Sequence, residues 1–282
     1  MKDVDEASGM HYWRAVMAVA KRWLTTYIRY PTWVISVLLW PVLFPFGYVF
    51  SMRALAGPTG EALSSFAQLA GTTDYVTFLV TGTTFWMWFN IMLWGLGGSF
   101  RMEQLRGTLE SNWLAPLPKT FLAVGVFLAE ALMGLVQLSM SMLTIALVYG
   151  VRLAGSPWAL LSLILISIPS IYGTGLIFAS LVLVAKEING LIFFVRGLIT
   201  VFCGVTYPIA VLPGWMQSVS RVLPLSHSVS AVRAVLAGGG FGTIAGQLRY
   251  LAVSGAVLMA LGFLAYAIIQ RRMLHAGTLG QH

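Results

Sequence analysis

Long apolar runs separated by short polar segments dominate the hydropathy pattern of this chain. Six of them are candidate membrane-spanning helices, at about 32–52, 75–100, 120–149, 158–185, 188–207 and 247–270. A helix needs roughly 20 apolar residues to cross a hydrocarbon core of about 30 Å. The runs are too long and too continuous for the alternating strands of a membrane barrel. The pattern predicts an all-α membrane protein with six transmembrane helices.

A shorter amphipathic segment, residues 10–30, precedes the first run. Its apolar side chains recur at three- and four-residue spacing and comprise Trp13, Val16, Met17, Ala20, Leu24, Tyr27 and Ile28. Arg14, Lys21 and Arg22 lie on the opposite face. A helix with one apolar and one basic face is typical of the membrane interface, and Pro31 is expected to end it. The segment is therefore predicted to be an N-terminal interfacial helix.

Composition excludes a soluble globular domain, because 58% of the 282 residues are hydrophobic and only 9% are charged. The net charge of +8 does not indicate nucleic-acid binding, since the basic residues lie at span ends, where they set topology and contact membrane lipids. The single cysteine, Cys203, is expected to be a small buried hydrophobe. No signal peptide is apparent.

The basic residues also predict an orientation. Of the 17 Lys and Arg residues, all but five fall on the side of the N terminus, and those five are Arg53, Arg152, Arg221, Arg233 and Arg249. The positive-inside rule then places both termini in the cytosol, in agreement with an even number of spans. Residues 101–118 become a cytosolic loop and 208–246 an extracellular region. Without internal repeats, residues 1–282 are expected to form a single membrane domain.

The cytosolic loop concentrates charge in an otherwise apolar chain. Glu103, Arg106 and Glu110 are spaced for ion pairs along a helix, and Pro116 and Pro118 are expected to stop it. On this pattern alone, an ordinary solvated connector with local ion pairs is favoured over a docking element for a soluble partner.

The sequence Glu103-Gln-Leu-Arg-Gly107-Thr-Leu-Glu110, followed by Leu114-Ala-Pro116, resembles the loop of type-2 ABC exporter permeases. In that family, an E-x-x-x-G-T-L-E element and a proline-containing turn form a coupling helix that docks on a separate nucleotide-binding subunit. The resemblance implies that the residues that contact the ATPase partner are Glu103, Arg106, Gly107, Thr108, Leu109 and Glu110.

A second resemblance to the same family lies in the region 208–246. Its prolines and the residues around them are similar to the family's extracellular re-entrant segment, and the implied gate residues are Pro208, Pro213, Trp215, Pro224 and Arg233. An ordinary external loop is the weaker alternative, because irregular backbone at membrane depth must be buried in protein or line a cavity, and the apolar stretches 209–212 and 229–236 would otherwise face water. The N-terminal helix also matches the family's interfacial elbow, so the resemblance covers essentially the whole chain.

The resemblance implies the partners and the energy source. The sequence contains no G-x-x-x-x-G-K-[ST] phosphate loop, so the chain is expected to be a permease subunit and not an enzyme. ATP and Mg would bind to a separate ATPase subunit, and this chain would bind no cofactor. A six-span permease is half of a family transporter, which implies a second permease subunit, most simply in a homodimer. The family also implies the cytoplasmic (inner) membrane of a prokaryote.

Several residues inside the predicted spans are candidates for function. The cluster Trp86, Trp88, Phe89 and Asn90 lies about halfway down the second span. One interpretation is that it lines a substrate pathway or forms a dimer contact. The favoured alternative is that these side chains simply pack against other helices or lipid. Glu130 is the one acid predicted within a membrane core, and Arg196 is its candidate ion-pair partner. A structural and a substrate or proton role for Glu130 both remain open. The four histidines lack ligand spacing, so no metal site is expected.

The leading hypothesis is the membrane subunit of an ATP-driven exporter of an amphipathic or hydrophobic substrate, such as a drug, a lipid or a lipid-linked compound. The alternatives are an intramembrane lipid-modifying enzyme, a permease of the polysaccharide-exporting branch and a secondary transporter. The enzyme would need a nucleophile with its base, for which no motif is recognisable. The secondary transporter would be expected to show repeated halves.

Overall fold

The computed structural model describes residues 2–56, 61–107, 119–152, 154–185 and 189–276. All regular elements in those ranges are helices, which confirms the predicted all-α class. Among the described residues, four helical stretches are long and apolar enough to cross a membrane, namely Tyr75–Glu103, Thr120–Val148, Pro157–Val184 and Phe241–Arg272. The apolar helices Leu39–Leu55 and Asn189–Phe202 are shorter. Six spans therefore remain a prediction.

The helices are α1 (Lys2–Arg29), α2 (Pro31–Leu55), α3 (Glu61–Ala70), α4 (Tyr75–Leu105), α5 (Lys119–Val148), α6 (Pro157–Ala185), α7 (Asn189–Phe202), a 3-10 turn at Ile209–Val211, α8 (Gly214–Ser220), α9 (Pro224–Leu236) and α10 (Phe241–Ala276). The end of α4 and the start of α5 lie on one side of the bundle with α1, which we term the near side. The end of α2, the start of α4 and the helices α8 and α9 lie on the opposite, far side.

Several helix boundaries differ from the sequence prediction. The fifth span was predicted too long, because α7 ends at Phe202 and Gly204 adopts a left-handed φ of 61° in the turn that follows. Its 14 residues give a length of about 21 Å. The last helix begins at Phe241, earlier than predicted. The segment between the first two spans contains the short helix α3, which the hydropathy pattern did not predict.

Helix α4 lies at the centre of the bundle and contacts α2, α5, α6, α7 and α9. Every residue from 78 to 89 is buried. Thr83 satisfies its hydroxyl group within the helix, because its Oγ1 donates to the carbonyl oxygen of Leu79 at 2.9 Å. The hydroxyl group of Thr83 is therefore buried with a hydrogen-bond partner.

Small residues bring α6 and α10 into close contact. A Cβ atom added to Gly173 would lie 2.6 Å from the backbone nitrogen of Met259, so only glycine fits there. Nearby, the Ser170 hydroxyl donates to the carbonyl oxygen of Leu251 at 2.7 Å. Close backbone approach combined with hydroxyl hydrogen bonds is the usual way in which helices associate inside membranes.

The outer face of α10 is apolar and uncovered. Its exposed large side chains recur every three or four residues and include Val253, Val257, Leu261, Leu264 and Ile268. A soluble monomer rarely exposes such a continuous apolar stripe, whereas a helix that faces lipid requires one.

Helix α1 packs along α5, and its two faces differ as the sequence predicts. Val16 and Ala20 are buried against α5, while Arg14 and Lys21 are exposed. The predicted apolar stripe is broader than the contact, because Trp13 also remains exposed. The interfacial position of α1 stays a prediction.

Candidate functional site

An ion pair joins α1 to α4 on the near side of the bundle. The guanidinium of Arg22 contacts the carboxylate of Glu103, where α4 enters the charged segment. Glu103 is only 9% exposed, although it was predicted to contact an ATPase partner. The structure thus directs its carboxylate towards α1, while the Arg22 side chain remains about half exposed.

The charged segment begins as a continuation of α4. The backbone N–H of Arg106 donates to the carbonyl oxygen of Met102 at 3.0 Å, and Gly107 then adopts a φ of 67°. A glycine in the left-handed conformation is a common way to end a helix. The side chain of Arg106 is exposed. The predicted contact residues Thr108, Leu109 and Glu110 lie outside the described residues.

Glu130 lies deep in the bundle and is 1% exposed. The Tyr27 hydroxyl donates to its Oε1 at 2.5 Å, and the Tyr172 hydroxyl donates to its backbone carbonyl oxygen at 2.8 Å. Burial and the Glu130 charge both raise the pKa of Tyr27 above its usual value, which keeps the Tyr27 hydroxyl a donor. The expected Arg196 partner is replaced by Tyr27.

The carboxylate of Glu130 also needs a glycine on the neighbouring helix. A Cβ atom added to Gly95 would overlap Oε2 of Glu130. A charged side chain in a membrane core costs roughly 2.5–3.5 kcal/mol on insertion scales, and hydrogen bonds to the carboxylate offset part of that cost. The carboxylate borders a cavity of about 440 Å³ between α1 and α4, whose wall includes Trp23 and Trp94.

Trp86 connects three helices near the middle of the bundle. Phe44 of α2 stacks on its ring with a centroid separation of 4.7 Å. Its indole N–H donates to Thr200 Oγ1 of α7 at 2.8 Å, and the guanidinium carbon of Arg196 lies 4.7 Å from its ring centroid. Trp86 therefore holds α2 and α7 against α4 and orients Arg196.

A cavity of about 360 Å³ opens beside Trp86, which we term the central pocket. Its wall includes Trp40, Trp86, Asn90, Trp94, Gln137 and Arg196. Asn90 Oδ1 and Gln137 Oε1 are both buried and have no hydrogen-bond partner among the described residues. Buried amide oxygens without donors are costly, so the central pocket is the part of the bundle best suited to a polar ligand group.

The structure divides the predicted aromatic cluster. Trp86 and Asn90 line the central pocket, whereas Trp88 and Phe89 are almost fully buried in the core. Trp88 packs edge-on against Phe85 at a centroid distance of 5.7 Å. Trp88 and Phe89 do not border this pocket, since adjacent helical positions point in different directions, and their part in a substrate pathway stays a prediction.

The residues of the pocket wall that sequence reasoning missed include Trp40, Trp94, Gln137 and Arg196. They come from α2, α4, α5 and α7, so no local motif links them. Only Arg196 stood out in the sequence, as a basic residue inside an apolar run, but it was predicted to form an ion pair with Glu130. The structure places it over Trp86.

Arg233 fastens the far-side helices to α4. Its Nη1 donates to the carbonyl oxygen of Gly204 at 2.8 Å, while its Nη2 donates to those of Val205 at 2.8 Å and Phe78 at 2.9 Å. Burial lowers the pKa of Arg233 from its usual value to about 9, so the guanidinium stays charged at neutral pH. Gly82 allows this approach, because a Cβ atom there would overlap Arg233 and Val205.

The other predicted gate residues lie around the two short far-side helices. Pro213 directly precedes α8, and Pro224 is the first residue of α9. Proline is common at the start of helices. Trp215 is 66% exposed, and Pro208 borders a far-side cavity of about 800 Å³ that also includes Arg233 and Cys203. Cys203 is buried, as predicted, and burial raises the pKa of its thiol to about 12.

Within the described residues, no three His, Cys, Asp or Glu side chains form a group that fits a metal ion. The described side chains instead form three features: the Arg22–Glu103 ion pair on the near side, the central pocket, and the hydrogen bonds of Arg233 on the far side. A family model described as "ABC-2 type transporter" matches residues 14–237, a range that includes all three. The chain belongs to the ABC-2 type transporter family.

The chain is also similar to two curated proteins. The chain is 25% identical over 233 residues to "Daunorubicin resistance ABC transporter permease protein DrrB1" of Streptomyces coeruleorubidus, which covers 81% of this chain and 74% of that protein. It is 31% identical over 118 residues to "Nodulation protein J" of Rhizobium meliloti (strain 1021). The second match covers 39% of this chain and 44% of that protein, so it spans less than half of the relative.

Membership of this family makes the chain a type-2 ABC permease, the membrane subunit of an ABC transporter. Such a subunit transports and is not itself catalytic. The long apolar helices accordingly belong to a multi-pass membrane protein.

Proposed function

We propose that this permease is the membrane subunit of an ATP-driven exporter, which moves an amphipathic or hydrophobic molecule out across the cytoplasmic membrane of a prokaryote. A separate ATPase subunit binds ATP and Mg and docks on the near side. The observation that carries the proposal is the ion pair between Arg22 and Glu103, at the start of the segment that resembles a coupling helix.

The near-side junction gives the ATPase a mechanical connection to the spans. The ion pair ties α1 to the end of α4, and the Tyr27 hydroxyl ties α1 to Glu130 of α5. Displacement of the segment 101–118 is therefore transmitted to three helices together. ATP binding that favours one arrangement of these helices shifts the transporter towards it.

The proposed orientation places the near side and both termini in the cytosol. Basic residues predominate on the near side, where Arg14, Lys21, Arg22, Arg101 and Arg106 all lie. An excess of Lys and Arg in short loops is characteristic of the cytosolic side of a membrane. Membrane lipids with anionic headgroups are the natural neighbours of these residues.

A second permease subunit completes the transporter in this proposal, and a homodimer is its simplest form. Large apolar side chains are uncovered on α2 and α7, including Trp40, Leu43, Phe193, Phe194 and Leu198. These faces adjoin the central pocket, because Trp40 and Arg196 belong to its wall. Pairing of two such faces encloses a path between the subunits.

The far-side helices form the proposed outer gate. Arg233 fixes α9 to α4 and to the turn after α7, while α8 exposes Trp215 and Val219. A segment with apolar side chains outward suits the outer leaflet. The gate comprises Pro208, Pro213, Trp215, Pro224 and Arg233.

Two observations support an amphipathic or hydrophobic cargo: the lining of the central pocket and the name of one relative. The central pocket is walled by three tryptophans and a few polar groups, which is typical of sites for amphipathic ligands. The relative named for daunorubicin resistance fits a drug-like or lipid-like cargo for this chain.

The test is reconstitution of the permease with the soluble subunit that copurifies with it. That subunit is expected to contain a G-x-x-x-x-G-K-[ST] motif. Reversal of charge at Glu103 and Glu110 together is expected to abolish ATP-dependent transport in proteoliposomes while membrane insertion and ATP hydrolysis persist. Reversal at Lys21, an exposed residue of α1, is the matched control. Unchanged transport in the Glu103 and Glu110 variant refutes the coupling assignment.

A further inference from the structure

The central pocket holds a cation that the described part of the protein does not neutralise. Arg196 contacts the rings of Trp86 and Phe193, with its guanidinium carbon 4.7 Å and 5.7 Å from their centroids. The one ion pair within the described residues joins Arg22 to Glu103. Contact with aromatic rings orients a guanidinium and leaves its N–H groups at the ring edge available.

The position of Arg196 makes this arrangement costly without a ligand. Arg196 lies in the middle of α7, and Asn90 lies in the middle of α4. Ionised side chains at such a depth are rare in membrane proteins and mark the paths of substrates or ions. A lipid-facing arginine would instead extend to the headgroups, whereas this one is directed inward over Trp86.

Two amide groups supply a second, independent observation. Gln137 is 1% exposed, and its Oε1 has no partner among the described residues, as is also true of Asn90 Oδ1. Both side chains border the same cavity as Arg196. Buried acceptors that lack donors are satisfied when a ligand supplies a hydroxyl or N–H group.

The apolar wall defines the rest of the ligand. Trp40, Trp86 and Trp94 surround a volume of about 360 Å³, which lies in the range of small-molecule sites. Flat aromatic surfaces favour a planar apolar body, which stacks on them.

From these features, we propose that the central pocket binds an anionic amphiphile. Its planar apolar body packs against the tryptophans, its hydroxyl or N–H group bonds Asn90 and Gln137, and its acidic group faces Arg196. This inference rests on the proposed function in that it names the chemical class of the cargo. It also requires that an acidic amphiphile binds more tightly than a cationic one of the same shape.

The test uses three probes with the same planar body: pyrenebutyrate, pyrenebutanol and pyrenebutyltrimethylammonium. The full chain is placed in nanodiscs of zwitterionic lipid, and saturable binding is followed by energy transfer from tryptophan to pyrene, with empty nanodiscs subtracted. We expect the carboxylate to bind at least about tenfold more tightly than the ammonium, the size expected of a charge-assisted hydrogen bond.

Variants then assign the preference to the pocket. Arg196→Gln is expected to weaken pyrenebutyrate about tenfold and to leave pyrenebutanol within about twofold, while Arg196→Lys keeps the preference for the anion. Asn90→Leu and Gln137→Leu are expected to weaken pyrenebutanol by roughly threefold to tenfold. Arg249→Gln, which removes an exposed far-side charge, is the matched control and should change none of the three affinities.

Three results overturn the inference: equal affinities of the wild type for carboxylate and ammonium, equal effects of Arg196→Gln and Arg249→Gln, or no saturable binding of any probe. The ratio of the wild-type affinities for the carboxylate and ammonium probes tests the inference even when a variant does not fold. Binding is measured without the ATPase, so its outcome is independent of the coupling test. Binding of the anion without any ATP-dependent export would contradict the proposed function but not this inference. Export without a preference for the anion would contradict this inference but not the proposed function.

Discussion

The guanidinium of Arg22 on α1 and the carboxylate of Glu103 on α4 form an ion pair on the near side of the bundle. The two residues are 81 positions apart in the chain, so the contact joins separate helices. Because Arg22 remains about half exposed, the pair is expected to add less than about 1 kcal/mol to stability. Its importance lies in the connection that it makes between α1 and the charged segment.

Exchange of the two charges tests this connection. Arg22→Glu and Glu103→Arg are each expected to lower ATP-dependent transport roughly fivefold or more, the lower range of coupling between sites, because like charges then face each other. The double variant restores the pair with reversed polarity and is expected to recover most of the loss. Lys21→Glu, on the same helix, should have little effect. Failure of the double variant to exceed the single variants contradicts the proposed connection.

The hydrogen bond from Tyr27 to Glu130 is expected to be stabilising. Tyr27→Phe and Glu130→Leu are predicted to lower the free energy of unfolding, with a coupling energy of about 1–2 kcal/mol in a double-mutant cycle, because each substitution removes the buried hydrogen bond. Denaturant unfolding in detergent measures each variant. Additive effects of the two substitutions would show that the residues act independently.

A conservative substitution addresses the role of the Glu130 proton. Glu130→Gln preserves an acceptor for Tyr27 and removes the ionisable group. Transport close to the wild-type rate in this variant indicates a structural role, which we expect because Tyr27 occupies Oε1 and the Gly95 backbone adjoins Oε2. Loss of transport with normal folding instead assigns the proton a part in the cycle.

Arg233 is predicted to be the strongest single contributor to far-side stability. Arg233→Met removes the donors to the carbonyl oxygens of Phe78, Gly204 and Val205 and is expected to cost about 3 kcal/mol, because buried acceptors lose their partners. Arg221→Met is the control, since Arg221 is exposed. The melting temperature in detergent should fall for the first variant only.

Gly82 is predicted to be indispensable to the same contact. Gly82→Ala places a methyl group against Arg233 and the backbone of Val205, and overpacking of this kind costs typically about 1–3 kcal/mol. Gly47→Ala is the matched control, because nothing lies within 4 Å of a Cβ atom there. An equal change in melting temperature for both variants contradicts the close approach of α4 and α9.

The hydropathy pattern predicted the helices well, since burial in lipid demands long apolar segments whatever their neighbours are. It failed at α7, where the apolar run continues to Tyr207 but the helix ends at Phe202. A positive φ at Gly204 and the carbonyl bonds of Arg233 end that helix, and the bonds come from a residue 29 positions away. Local sequence carries no signal of such a partner.

Candidate residues are easiest to propose from the sequence where they belong to one continuous motif. Glu103 and Arg106 belong to one short element, whereas the central pocket assembles side chains from four helices. Helix rotation decides which residues of a uniformly apolar span face a cavity. Trp86 borders the central pocket and Trp88 does not, a distinction that periodicity cannot make when both faces of a helix are hydrophobic.

The most direct test of energy input at the near side is chemical cross-linking from a single introduced cysteine. Cys203 is buried and its raised pKa leaves it protonated and unreactive at neutral pH, so Arg106→Cys provides one reactive thiol on the near side. A thiol-to-amine cross-linker in native membranes is predicted to join position 106 to a soluble chain with a G-x-x-x-x-G-K-[ST] motif, while Arg249→Cys on the far side yields no such product. Absence of that adduct from position 106, or its formation from position 249, would contradict the account.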